Sequence, residues 1–206
     1  MTTRVPEFEI EEMDGPFILR WKNAPDLSAD ELLEFSAIND LEVERECDGS
    51  LLIMSPISLS TNRRETAVLV QLSIWAKKDG TGEALGTQGG YYLPNRAMRG
   101  PDAAWIRRER TEALPASEVN SIPHLVPDFV VEVRSKSNRL GRLKAKMDEY
   151  VANGVRLGWL LDPTTKTAYV YRTGAEVQVI ENVTSLDASP ELPGFVLDLA
   201  PIWSDG

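Results

Sequence analysis

Two Pro-Asp pairs and one carboxylate inside an apolar run hold the chemistry this sequence could perform. Pro101-Asp102 heads the run Ala103-Ala104-Trp105-Ile106, and Pro127-Asp128 heads Phe129-Val130-Val131-Glu132-Val133. The second run is rich in β-branched and aromatic residues and reads as a central strand. Glu132 then occupies a position surrounded by core. Burying a carboxylate is costly unless a cation offsets the lost hydration. A metal ion does so, and so does a basic side chain. The plain alternative is a strand Glu in a structural ion pair. Asp128 and Glu132 lie four residues apart, about 13 Å along a strand. One hard cation holds its ligands at about 2–2.6 Å. Asp128 therefore reads as a turn or strand-capping residue, and Asp102, on a different strand, is the expected partner of Glu132.

The same logic picks out the cations. Arg134 follows Glu132 by two residues and so shares its face of the strand. A guanidinium stays protonated, so Arg134 could steady a phosphate but not act as a base. On the next helix, Lys144 and Lys146 face different ways, and only one can point inward. Lys146 and Tyr150 are spaced i, i+4 on one face, and Lys146 is the lysine expected at the site; a solvated helix lysine is the bland reading. Arg63-Arg64 and Arg107-Arg108-Glu109-Arg110 read as solvated surface, with phosphate contact as the alternative. Trp75, Trp105, Trp159 and Trp203 sit in apolar runs and fit a core better than a base-stacking surface.

These residues need elements to position them. Ser28 and Glu31 form a capping-box pair opening a helix to about Asn39. LEVERE and SLLIMS, joined by Asp48-Gly49, read as a hairpin. Val68, Leu69, Leu72, Trp75 and Ala76 recur at helical spacing, which predicts a long amphipathic helix over Thr61–Lys78. Short strands are expected near Glu83–Gly86, Gly90–Leu93 and Ala103–Ile106. Lys78–Gly90, with its glycines, also reads as a flexible loop near the site. A surface excursion with one helical turn should follow Arg107. Then come the Glu132 strand, a helix over Gly141–Asn153, the strand VRLGWLLD, a closing hairpin (TAYVYR and AEVQVI) and an apolar tail, ELPGFVLDL with PIW. The order predicts an α/β fold with a mixed sheet flanked by helices, elaborated by an N-terminal helix and β-hairpin. Residues 1–27 read as an N-terminal arm with one strand at Phe17–Trp21, and 28–206 as a single domain.

Composition excludes several classes. The chain has 206 residues, 42% apolar, one Cys and one His. A zinc cage of Cys and His ligands is out of reach, as is an internal disulfide. No apolar run approaches the roughly 20 residues that span a bilayer, so no membrane partner is expected. The first residues do not resemble a secretory signal, and a cytoplasmic location is expected. The net charge of −10 argues against tight, sequence-blind DNA binding, though basic residues can still gather locally.

Four strings, GPDAAWIRRE (100–109), VPDFVVEVRSKS (126–137), KAKMDEYVANGVRLGWLLDP (144–163) and ELPGFVLDL (191–199), closely resemble in type and order the Uma-two family of bacterial restriction-endonuclease-like proteins. The resemblance covers roughly 28–203. It implies the PD-(D/E)XK restriction-endonuclease-like fold. It places the family's metal-binding Asp on Asp102 and its Glu on Glu132. Arg134 stands where the wider superfamily has a strand lysine. The Lys before Met-x-x-Tyr falls on Lys146, resembling a migrated catalytic lysine. Ser135 and Ser137 match a Ser-x-Ser after the strand. One departure stands out: Ser60 replaces an expected carboxylate or imidazole near the start of the long helix, with Glu65 as a substitute and Gln71 able to face the site, and helix surface or core edge as the plain reading of both.

The reading that follows is a metal-dependent endonuclease acting on DNA. Asp102, Glu132 and the Val133 carbonyl would hold Mg²⁺ or Mn²⁺, Lys146 would orient water or steady charge, and Arg134, Ser135, Gln71, Glu65 and Tyr150 would support them. A homodimer joined through the apolar tail is a further expectation. The rival is an inactive nuclease-fold domain used for binding. An open acidic cleft with Lys146 pointing in favours the enzyme; Glu132 locked to Arg134 favours the rival.

Overall fold

The first two helices begin where the sequence supplies a side-chain cap. Ser28 Oγ accepts from the Glu31 N–H, and the Glu31 carboxylate accepts from the Ser28 N–H at 2.8 Å, completing the expected capping box. Ser58 caps the long helix by accepting from the Thr61 N–H, so this helix starts slightly before the predicted Thr61. It ends at Gly80, whose φ of 77° suits a residue without Cβ. The computed structural model describes residues 8–10, 17–21, 27–54, 56–87, 89–136 and 138–204. Ser137 and most of the predicted arm lie outside them.

Along the chain the elements are β1 (Phe8–Ile10), β2 (Phe17–Trp21), α1 (Ala29–Asn39), β3 (Val43–Arg45), β4 (Leu51–Ile53), α2 (Leu59–Asp79), β5 (Gly82–Gly86), β6 (Tyr91–Tyr92), β7 (Met98–Arg99), β8 (Ala103–Arg107), α3 (Arg108–Glu112), α4 (Ala116–Val119), β9 (Phe129–Val133), α5 (Leu140–Ala152), β10 (Leu157–Asp162), β11 (Thr167–Arg172), β12 (Gln178–Glu181), β13 (Ser185–Asp187), β14 (Val196–Asp198) and α6 (Ala200–Trp203). The α/β class, with a mixed sheet flanked by helices, is as the sequence predicts. The short β7 has no signal of its own; it forms because Met98 pairs with Arg45 of β3 and Tyr92 of β6. The excursion after Arg107 holds two short helices rather than one turn.

The chain divides into two compact units. One draws on described residues of Met1–Pro56, Gly90–Gly100 and Pro115–Leu125. Its sheet has the order β1-β2-β4-β3-β7-β6, antiparallel throughout. Leu32, Val43, Leu51, Tyr92 and Met98 form its core. Arg99 is buried there between Glu44 (3.4 Å) and Glu46 (2.5 Å).

The other unit comprises Ile57–Gly89, Pro101–Leu114 and the described residues of Val126–Gly206. Its sheet runs β12-β11-β10-β9-β8-β5, with β9 and β10 parallel and the other pairs antiparallel. The parallel pair is joined through α5, as expected of a crossover. Odd-numbered residues of β8, β9 and β10 (Trp105, Phe129, Val131, Val133, Trp159) turn to one face and meet Val68, Leu72 and Ala76 of α2. The tail closes this core: Leu192, Phe195, Leu197, Leu199 and Ile202 are all buried in it. Trp159 stacks on Phe195 at 5.9 Å, and Phe129 meets Trp159 edge-on at 4.9 Å. All four tryptophans named above pack in or against this core. Within the stretch that also read as a flexible loop, the strand expected near Glu83–Gly86 forms as β5, fixed by five pairings to β8.

Candidate active site

Strand alternation decides where Glu132 points. Val131 and Val133 face α2, so Glu132, with Val130, faces the other side, where α5 packs on β10 and β11. The helix lies close to the sheet because residue 158 is glycine: a Cβ there would sit 2.4 Å from the Met147 methyl carbon. This brings two α5 side chains to one carboxylate oxygen. Lys146 Nζ is 2.7 Å from Glu132 Oε1, and the Tyr150 hydroxyl donates to the same oxygen at 3.2 Å. Glu132 is 4% exposed and Tyr150 0%, so the ammonium offsets the desolvation that the sequence pattern demanded. Lys144 turns away and places Nζ 4.2 Å over the Tyr169 ring.

Asp102 joins them from the neighbouring strand. The β8–β9 register pairs Ala103 with Val131, so Asp102, one residue before β8, lies level with the end of β9 that carries Glu132. Asp102 Oδ2 accepts from the Val133 N–H at 2.6 Å. The aspartate is thus tied to the peptide beside Glu132, as a charge-assisted bond.

Arg134 does not pair with Glu132 in the contacts that place it. Its Nη1 is 2.7 Å from Asp162 Oδ2, and its Nε donates to the Asn138 carbonyl at 3.1 Å. Asp162 is 0% exposed and also accepts from the Thr164 N–H at 3.0 Å. This pair pins the loop that leads from β9 into α5. Sequence reasoning saw only a turn at Asp162-Pro163. The usable signal was the register: Leu161 pairs with Val133, which sets 162 beside 134.

The other expected residues fall as follows. Ser135 is buried and begins the loop after β9. Glu65 is buried on the α2 face that carries Thr61, Val68 and Leu72. Gln71, also on α2, donates to the Asp198 carbonyl at 3.0 Å and accepts from its N–H at 2.8 Å, clamping β14. Asp128 caps the strand as predicted. It accepts from the Arg107 N–H at 3.1 Å and pairs with Arg110 at 2.9 Å. On the α5 side of the sheet, burial pushes the Tyr171 phenol up to about 12, with the charges of Asp148 and Tyr169 adding to the effect.

Asp102, Glu132 and the Val133 carbonyl are hard oxygen donors of the kind Mg²⁺ and Mn²⁺ take. Among the described residues, no group of three or more His, Cys, Asp or Glu side chains is placed to hold an ion. Two carboxylates, completed by water and phosphate oxygens, are the usual protein share of a Mg²⁺ shell. The donor set fits.

The mixed sheet flanked by helices and the order of its elements define a restriction-endonuclease-like α/β protein. The chain belongs to the Uma2 family, described as "Putative restriction endonuclease", which it matches over residues 29–200. Its fold is similar to that of a crystal structure titled as a "putative nuclease belonging to DUF820" from Anabaena variabilis. The TM-score is 0.69 at 17% identity, covering 87% of this chain and 98% of that one. No curated protein sequence matches. Among the described residues, no helix is long and apolar enough to cross a membrane.

Proposed function

We propose that this chain is a metal-dependent endonuclease that hydrolyses phosphodiester bonds in DNA. The observation that carries this reading is the Lys146–Glu132 contact at 2.7 Å, with Arg134 engaged by Asp162. A lysine reaches the carboxylate from the following helix, and the arginine just past the strand does not replace it. Asp102, Glu132 and the Val133 carbonyl would hold Mg²⁺ or Mn²⁺. Bound there, such an ion polarises phosphoryl oxygens and makes water more acidic.

The chain's own residues do the rest. The Val133 N–H fixes one oxygen of Asp102 and so sets its direction. Tyr150 orients Glu132. Lys146 holds a positive charge where a water would attack and steadies charge as it builds on the phosphate. Its low exposure keeps competing water from screening that charge. The tail expected to join a homodimer buries Leu192, Phe195, Leu197, Leu199 and Ile202 within its own unit and leaves Val196 exposed.

The test is calorimetric titration with Mn²⁺ at low salt, with and without a DNA oligonucleotide, on the wild type, Asp102→Ala and Glu132→Ala. We expect saturable binding in the wild type and none in either variant, together with Mn²⁺-dependent cleavage that a chelator stops. A folded wild type that binds no Mn²⁺ even beside DNA would turn the reading to a nuclease fold used only for binding.

A further inference from the structure

Lys146 meets Glu132 from a separate element, so whatever sets the place of α5 sets the site. The helix buries Leu143, Met147 and Tyr150. Apolar burial is non-directional. It holds α5 against the sheet more firmly than it stops a slide along it. A slide of one residue advances a helix by about 1.5 Å and turns it by about 100°. Ala145 or Met147 would then stand where Lys146 stands now.

The start of α5 lacks two of the usual local signals. Its N-cap position makes no side-chain cap hydrogen bond, and its first turn holds no acidic residue. A tie comes instead from Arg134, outside the helix. The Arg134 N–H donates to the Leu161 carbonyl at 2.8 Å, which carries the β9–β10 ladder one step further and fixes this residue to the sheet. Its guanidinium then reaches in two directions. Nη1 lies 2.7 Å from Asp162 Oδ2, and Nε donates at 3.1 Å to the carbonyl of Asn138, two residues before α5. Asp162 ends β10 and is fully buried, and its Oδ1 accepts from the Thr164 N–H at 3.0 Å. A buried carboxylate on a paired strand therefore aims a fork whose other arm holds the approach to the helix.

Neutralising Asp162 alone would not call for arginine. A lysine ammonium offsets a carboxylate as a point charge, but it does not fix two directions at once as the planar guanidinium does.

We propose that Arg134 and Asp162 are positioning residues for the reaction, fixing the start of α5 and so setting Lys146 on Glu132. The assignment rests on the nuclease reading. Neither side chain touches DNA in it, and both act through Lys146. A misplacement of about 1 Å at a reacting centre can cost about 10²-fold in rate, so the pair acts on turnover and not on DNA binding.

The experiment uses the full chain and two variants. Arg134→Lys keeps a cation beside Asp162, and Arg134→Gln/Asp162→Asn leaves no charge stranded. Mn²⁺-dependent cleavage of a fluorescent DNA duplex gives kcat and KM, with Mn²⁺ titration and thermal melting run alongside. A readout free of activity is the coupling between Glu132 and Lys146. It is measured by urea unfolding of Glu132→Gln, Lys146→Met and their double variant, with Arg134 and again with Lys at 134. We expect both variants to melt near the wild type and to bind Mn²⁺ within about twofold of it. In both, kcat should fall at least about tenfold while KM stays within about twofold. The Glu132–Lys146 coupling should drop to about half or less in the Arg134→Lys background. Should Arg134→Lys fail to fold, the neutral pair carries the same readings. Wild-type kcat with undiminished coupling overturns the proposal. So does a raised KM at unchanged kcat, which would put Arg134 on a DNA phosphate. If the wild type cuts no DNA, the nuclease reading falls, and the coupling still decides the placement of Lys146: its loss upholds the role of the pair, and an undiminished value overturns it.

Discussion

Glu132 would be an unstable residue without Lys146. At 5% side-chain exposure for the glutamate and 12% for the lysine, removing one partner leaves a charge in low dielectric. We expect Lys146→Met to lose about 3 kcal/mol in urea unfolding. The double variant Glu132→Gln/Lys146→Met should recover most of it, since no charge is then stranded. The metal reading adds a second expectation. Saturating Mn²⁺ should stabilise Lys146→Met more than wild type, because a dication takes over the lost ammonium's role. Equal stabilisation would mean that the ion does not meet Glu132. Of this site, Asp102, Glu132 and Lys146 were legible from residue type and order. The Arg134–Asp162 pair was not. Arg134 shares a strand face with Glu132 in principle, but β9 ends at Val133, and past that point the backbone no longer enforces alternation.

At the scale of elements, two glycines make opposite predictions. Gly82 on β5 lies against β8: a Cβ there would stand 2.4 Å from the Ile106 carbonyl oxygen and 2.5 Å from the Trp105 ring. Backbone cannot yield cheaply, so Gly82→Ala should destabilise by about 2 kcal/mol. Gly141, in the first turn of α5, meets nothing within 4 Å. Gly141→Ala should stabilise by about 0.5–1 kcal/mol by restricting the unfolded chain. Thermal melting checks both. The long, strongly patterned elements, α2, β9, α5 and β10, were legible in the sequence because amphipathic spacing or a continuous apolar run is a local property. β7 was not, since Met98–Arg99 lacks the apolar run that marks β6 and owes its strand to pairing with β3 and β6. β5 was read both as a strand and as a mobile loop because glycines weaken the strand signal, while its order comes from pairing with β8.

For the molecule as a whole, the Tyr171 phenol links stability to alkaline pH. Its pKa is raised from 10.0 to about 12 by burial, with Asp148 and Tyr169 adding to it. The unfolded chain loses this proton first, so stability is fully present below pH 10 and falls as pH climbs through the window to about 12. Tyr171→Phe should flatten the pH dependence of the urea midpoint in that window. An unchanged slope would show that other groups set it.

The sequence by itself determined the α/β class and the order of the main elements, and it offered Asp102, Glu132 and Lys146 as candidates for the site. Hydrophobic period, caps and the cost of a core glutamate are written in neighbouring residues. Tertiary structure decided which cation meets which anion. It gave Lys146 to Glu132, Arg134 to Asp162 and the arginines of the β8 end to Asp128. It also buried Leu192, Phe195, Leu197, Leu199 and Ile202 of the tail in its own unit. Such pairings depend on strand register and on how closely α5 can approach the sheet over Gly158, distances that no local pattern encodes.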